Sequence, residues 1–191
     1  MTAVGWYSTV IDKMKKQYAY PIIAELGQMN KFRFLDKDSA EYDKEKALIF
    51  DIVLGSTSQG NNVFENAKMA VRVMMMYLNG STLSNAVKDL QGSFGDKTVA
   101  IEENIRKAEH LLKNVGAEEL GKVFNETKTI REWEDIFKND KRFRWKNEPL
   151  ELTGSKDQEV TGFFVFGPKI GSFINNLHGN YDTLTADLWY S

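Results

Sequence analysis

Between Thr98 and Gly116 the apolar residues return every three or four positions, at Ile101, Ile105, Ala108, Leu112 and Val115. That spacing lines one face of an α-helix, whereas a strand would alternate with a period of two. Gly116 supplies the stop. The same period runs through most of the chain. Asp38 and Ser39 are placed to cap a helix carrying Ala47, Leu48, Phe50, Ile52 and Val53, ended by Gly55. Asn62, with Glu65 three residues on, opens another. Its buried stripe is Val63, Ala67, Val71, Met74, Met75 and Leu78, stopped at Asn79-Gly80, and Met74 to Met76 read as core packing. Ser81 or Thr82 starts a short segment with Leu83, Ala86, Val87 and Leu90. Thr129 and Glu132 form a capping box ahead of Trp133, Ile136 and Phe137.

The three prolines, at 21, 149 and 168, suit helix boundaries or kinks, and no strand alternation exceeds a few residues. The expectation is an all-α, multi-helix bundle with a helix-hairpin-helix motif. Loops are expected at 91–97 and 147–157. Because Gly27 to Asp38 carries no period, residues 1–37 are expected to form an N-terminal helical cover and 38–191 the main domain.

Composition narrows the chemistry. With 42% hydrophobic and 27% charged residues the chain can build a core and is not compositionally disordered. No cysteine is present, which excludes a disulfide framework, cysteine-ligated zinc and iron–sulfur chemistry, and fits a reducing compartment. His110 and His178 stand far apart without metal-ligand spacing, so neither a metal nor a cofactor is expected. His110 reads as structural or exposed, and His178 as ending a helix. No apolar run reaches the roughly 18 residues of a membrane span, and residues 1–5 carry no secretory leader. A cytoplasmic protein without a membrane partner is expected. The formal net charge of −2 is unlike that of a strongly basic nucleic-acid coat protein, although an enzyme touching few phosphates needs only a local basic patch.

The most informative stretch comes last. Val160 to Phe166 is apolar and runs into Gly167-Pro168-Lys169, after which Ile170, Phe173, Ile174 and Leu177 return with a helical period closed by His178-Gly179. This reads as helix, tight glycine turn, helix. Pro168 fits the first position of the second helix, where its missing N–H costs nothing. Free N–H groups at such a helix start suit a phosphate and dock a strand without reading its sequence.

Here the chain resembles the helix-hairpin-helix DNA glycosylases related to endonuclease III. Phe166-Gly167-Pro168-Lys169 is similar to the second half of their hairpin, and Thr185-Ala186-Asp187-Leu188-Trp189 to the segment bearing their catalytic aspartate. Lys169 and Asp187 stand at the separation that family uses. Upstream, Leu54 to Gln59 is similar to the family's early helix and groove-filling loop, and Arg106 to Lys113 to its Lys-Ala helix. Order and approximate distances agree across residues 45–191. Two departures stand out. Val165 replaces the first hairpin glycine, and the family continues with a further core helix where this chain reaches Ser191. The domain is therefore expected either to be incomplete or to close differently.

The resemblance implies a DNA glycosylase with lyase activity, acting on double-stranded DNA in a bacterial or phage-infected cell. It would flip a damaged or modified base out of the stack. Asp187 would stabilise the cationic sugar, and Lys169, as a neutral amine, would form a Schiff base. Gln59 would fill the gap in the duplex, and Phe166, Gly167 and Gly171 would serve the hairpin's DNA contact. The run from Lys138 to Lys146 adds Arg142, Arg144 and Trp145 as further candidates, for phosphates and a stacked base.

Apart from the resemblance, Lys169 reads as a solvated helix-start residue, Asp187 as a helix cap and Gln59 as a polar loop residue. The 138–146 run reads equally as a helix end with Phe143 and Trp145 in the core. Two other functions remain open: an enzyme of DNA base hypermodification, phage-type, on the same fold, and a non-catalytic helical module binding DNA or protein.

Overall fold

Side-chain caps set the helix starts in the first half of the chain. The computed structural model describes residues 15–90 and 98–180. A π-helical turn, Lys15–Ala19, leads into α1 (Tyr20–Glu25) and a 3-10 helix, Met29–Leu35. Then come α2 (Lys44–Thr57), α3 (Val63–Leu78) and α4 (Leu83–Asp89). Asp43 caps α2 through the amides of Glu45 and Lys46, Asn62 caps α3 through Glu65 N, and Thr82 caps α4 through Asn85 N. Glu109 reaches across from the next helix to take the amides of Leu83 and Ser84 as well. α5 (Thr98–Val115) ends at Gly116, whose φ of 87° is open to glycine, and α6 (Ala117–Phe124) follows. The Thr129–Glu132 capping box starts α7 (Ile130–Asn139) as expected.

The described chain is mostly helical but not wholly so. Strand β1 (Thr127–Thr129) pairs antiparallel with β4 (Glu159–Thr161), setting Thr127 opposite Thr161. A small hairpin pairs β2 (Arg144–Trp145) with β3 (Glu148–Pro149). Its turn residues Lys146 and Asn147 both have positive φ, 53° and 69°. Two left-handed residues twist a tight hairpin in the sense its strands require. Pro149 therefore lies in a strand and not at a helix boundary. The expected first limb of the hairpin is also revised. Val160 belongs to β4, and Gly162–Phe166 is a five-residue 3-10 turn. The second limb stands as expected: α8 (Pro168–Leu177) has Pro168 in its first turn and His178 as its C-cap.

The helix α2 is buried all round, from Ala47 to Thr57, and both halves of the core are built on it. One face (Phe50, Val53, Leu54) joins a cluster with α1, α3 and α4. Ala19, Ile22, Phe32 and Phe34 of the first described residues belong to that same cluster. The other face (Leu48, Ile52) meets α5 to α8. There Phe124, Trp133, Phe137, Phe143 and Phe163 pack as an aromatic group, with the Phe124 and Phe163 centroids 5.7 Å apart.

Two details of α2 differ from expectation. Its cap is Asp43 rather than Asp38 or Ser39, and Gly55 lies inside the helix rather than ending it. A Cβ at Gly55 would sit 2.3 Å from Ile174 Cγ1. The glycine is there because α8 crosses α2 at that point. Among the described residues no helix is long and apolar enough to cross a membrane.

Candidate functional site

The close crossing of α2 and α8 at Gly55–Ile174 has a consequence at the ends of both helices. It brings the turn after α2 beside the turn before α8. Between them, with α5 as the third wall, lies an open cleft of about 380 Å³. Ser58 and Gln59 border one side and Phe166 to Ile170 the other, while Ala100, Glu103, Asn104 and Lys107 of α5 form the floor.

Each wall has its own local cause. Thr57, at the end of α2, is buried and bonded to Val53 O at 2.9 Å and to Asn66 Oδ1 at 2.6 Å, so the α2–α3 corner is fixed. Asn61 donates to Thr57 O at 2.8 Å and closes the turn that carries Gln59. Opposite, Gly167 has a φ of 95°, which a residue with a side chain adopts only under strain. The Gly167 amide bonds Phe164 O at 2.9 Å, and Gly171 N bonds Gly167 O at 2.7 Å. The chain thus reverses sharply into α8.

Of the expected site residues, Gln59, Phe166, Gly167 and Lys169 border this one cleft. Lys169 is exposed at the start of α8. The buried carbonyl oxygen of Gln59, Oε1, has no hydrogen-bond partner among the described residues. Phe166 is buried, its ring belonging to the core cluster. Asp187 lies outside the described residues, as do 91–97.

Gly171 packs against the 3-10 turn. It is buried, and a Cβ there would fall 2.5 Å from Phe163 O and 2.7 Å from Phe164 Cα. It serves the packing of α8 on the 3-10 turn, which explains the glycine without any ligand.

Arg142, Arg144 and Trp145 do not border the cleft. The Arg142 guanidinium is engaged by the Asp140 carboxylate, with Nη2 at 2.7 Å from Oδ2 and Nε at 3.0 Å. That pair holds Asp140 below the usual carboxylate range. Arg144 donates to Asn147 O at 3.1 Å inside its own hairpin. Phe143 is in the core, and Trp145 is half-buried against His110, ring centroids 5.7 Å apart. Trp145 instead borders a second groove, of about 590 Å³, with Tyr77, Arg106, His110 and Lys113. The 138–146 run thus spans the end of α7 and the first strand and turn of the β2–β3 hairpin, with Phe143 in the core and Trp145 half-buried.

Two residues of the cleft wall were not singled out as site residues from the sequence, although Lys107 belongs to the Arg106–Lys113 segment. Lys107 is partly buried and donates to Val165 O at 2.9 Å. Burial lowers the pKa of its ammonium, with the charge of Glu103 opposing that shift. Glu103 pairs with Lys146 at 2.7 Å, and this bond, more than any other influence, holds its carboxyl below the usual range. Ala100, Asn104 and Lys107 fall at i, i+4 and i+7, a line flanking the apolar stripe of α5. That line was the available signal.

A third cluster lies on the far side of α2. Asp51, its side chain 4% exposed, pairs with Lys15, and His178 Nδ1 lies 3.6 Å from Asp51 Oδ2. Lys15 also donates to Leu177 O at 3.3 Å. The buried carboxylate thereby links the first described turn, α2 and the end of α8. No group of three or more potential metal ligands occurs among the described residues. Comparison with family models, with curated proteins and with solved structures finds no match for this chain.

Proposed function

We propose that this protein is a DNA glycosylase with lyase activity, of the helix-hairpin-helix type, acting on a flipped base in duplex DNA. One observation carries the reading: Gln59 and Lys169, distant in sequence and expected to act on one nucleotide, border the same cleft. The start of α8 adds to it, since Pro168 in the first turn leaves amides that suit a phosphate at the cleft's rim. The fragment Gly167-Pro168-Lys169 with α8 serves as the DNA-facing half of the hairpin, and the 3-10 turn replaces its first helix.

On this reading a base leaves the stack, and Gln59 occupies the gap. Positive charge develops on the sugar as the glycosidic bond breaks, and the carboxylate of Asp187 stabilises it. The neutral amine of Lys169 attacks the sugar C1′ and gives up a proton to Asp187 as the base departs with the bonding electrons. The C1′–O4′ bond then opens with protonation of O4′ to leave a Schiff base, and loss of a C2′ proton expels the 3′ phosphate and cleaves the strand. The protein works in the cytoplasm of a bacterial or phage-infected cell.

Borohydride trapping on duplex DNA bearing an abasic site tests this directly. A covalent adduct is expected from the wild type, and its loss in Lys169→Ala and strong reduction in Asp187→Asn. Tight DNA binding with neither adduct nor base release would instead make the chain a binding module.

A further inference from the structure

We infer that Lys107 is a positioning residue: from α5 its ammonium grips the Val165 carbonyl and fixes the turn that presents Gly167 and Lys169 to the cleft. The inference rests on the proposed DNA reaction for its purpose, though not for its geometry.

The 3-10 turn Gly162–Phe166 is only five residues long and has to reverse at Gly167. Its geometry is held by few internal bonds, because short 3-10 segments close poorly aligned hydrogen bonds and do not propagate. The Gly167 amide takes Phe164 O, which pins one side of the reversal. Val165 O, the next carbonyl along, is pinned from outside the segment by Lys107 Nζ at 2.9 Å. The bond spans from α5 to the turn, between residues widely separated in sequence, and ties two walls of one cleft together.

A lysine at this place is costly unless it has a use. Long lysine side chains ordinarily lay their stems on apolar surface and send the charge out to water. Lys107 instead turns its charge toward a backbone carbonyl and holds it partly buried, against the penalty that burial places on an ammonium. A methionine would fill similar volume without that cost. What the methionine could not supply is the charge-assisted hydrogen bond, stronger than a neutral one and directed at a single carbonyl. The neighbouring Val165 and Phe166 side chains are buried, so a shift of this carbonyl would carry through to Gly167.

Amide hydrogen exchange over residues 162–169, in the full chain without DNA, measures this independently of any reaction. In Lys107→Met, exchange at Phe166 and Gly167 is expected to quicken about tenfold or more, as befits loss of a charged hydrogen bond. The urea midpoint should not fall, because a buried charge has been removed. Lys107→Arg should restore slow exchange, and Lys107→Gln, a neutral donor, should restore part of it. Unchanged exchange in Lys107→Met overturns the inference, and so does equal acceleration in Lys107→Arg. If Lys107→Met does not fold, exchange that is slower in Lys107→Arg than in Lys107→Gln supports the inference, and equal exchange in the two overturns it. Trapping on abasic-site DNA separates the two claims. If the wild type gives no adduct the proposed reaction fails, while the exchange result still decides the part played by Lys107. An adduct mapped to Lys107 itself would show a nucleophile and overturn the positioning role.

Discussion

Single residues in this protein act mainly by deciding how closely backbones approach. At Gly171 the obstacles to a Cβ are backbone atoms of Phe163 and Phe164, which cannot rotate away. Gly171→Ala should therefore destabilise the fold by about 1–3 kcal/mol, the usual range for overpacking, read as a lower urea midpoint. At Gly55 the obstacle is the Ile174 side chain, chiefly its Cγ1, so Gly55→Ala should cost much less in an Ile174→Ala background, which removes that atom, than in the wild type. Neither role was visible in the sequence. Gly55 reads there as a helix stop and Gly171 as a DNA contact, because a one-dimensional pattern cannot separate a glycine needed for a turn from one needed for a crossing.

Lys107 makes a prediction of a different sort. Its pKa is lowered in the fold from 10.5, so in the window just below that value the unfolded chain holds more protons than the folded one. Its contribution must then grow as pH rises through that window. Tyr20 and Tyr42, whose pKa values are raised by burial from 10.0, act in the opposite sense from that pH upward, in both proteins alike. The difference in unfolding free energy between wild type and Lys107→Met, followed from pH 8 to about 10.5, isolates the lysine. It should shift in favour of the wild type as pH rises, and a flat difference would remove the buried-charge argument.

At the scale of elements, the sequence was most legible where a side chain caps a helix. Asn62 and Thr129 were each marked by residue type and spacing and each bonds the expected amide, and of the two candidates Ser81 and Thr82 it is Thr82 that caps its helix. Asn62→Ala should cost about 1 kcal/mol in chemical unfolding. Asp43→Ala should cost a similar amount near neutrality, but with a pH signature. The Asp43 carboxyl is lowered chiefly by its bonds to Lys46, so its contribution holds above the ordinary aspartate range and is lost as pH falls through the lowered value. The two variants should therefore behave alike near neutrality and diverge in acid, where Asn62→Ala still destabilises and Asp43→Ala no longer does.

Elements without such a marker were misread or missed. The helix α6 follows α5 after Gly116 alone, and β1 and β4 are three residues each, too short to show alternation. The run from Val160 to Phe166 is continuously apolar, which suits a buried strand and a 3-10 turn as well as a helix. The β2–β3 hairpin was hidden because Lys146-Asn147 lacks the glycine that usually announces such a turn.

For the whole molecule, the position of the cleft follows from one buried helix. α2 carries both halves of the core, α8 crosses it at Gly55, and the ends of the two helices meet at Gln59 and Gly167–Lys169. The sequence pointed to those residues separately; their meeting depends on the crossing, which no spacing encodes. With a net charge of −2, any grip on DNA has to come from few cations. Binding should therefore weaken with salt at a shallow slope of about −0.9 per phosphate neutralised, well short of that of a coat protein.

A double-mutant cycle on DNA binding tests most directly whether Gln59 and Lys169 serve one nucleotide. The ligand is a duplex carrying a tetrahydrofuran abasic-site analogue, compared with the intact duplex at fixed salt. The wild type should prefer the analogue, Gln59→Ala and Lys169→Ala should each erode that preference, and the double variant should lose less than the sum of the two. Equal affinity for both duplexes in all four proteins, or strictly additive losses, would contradict a shared site.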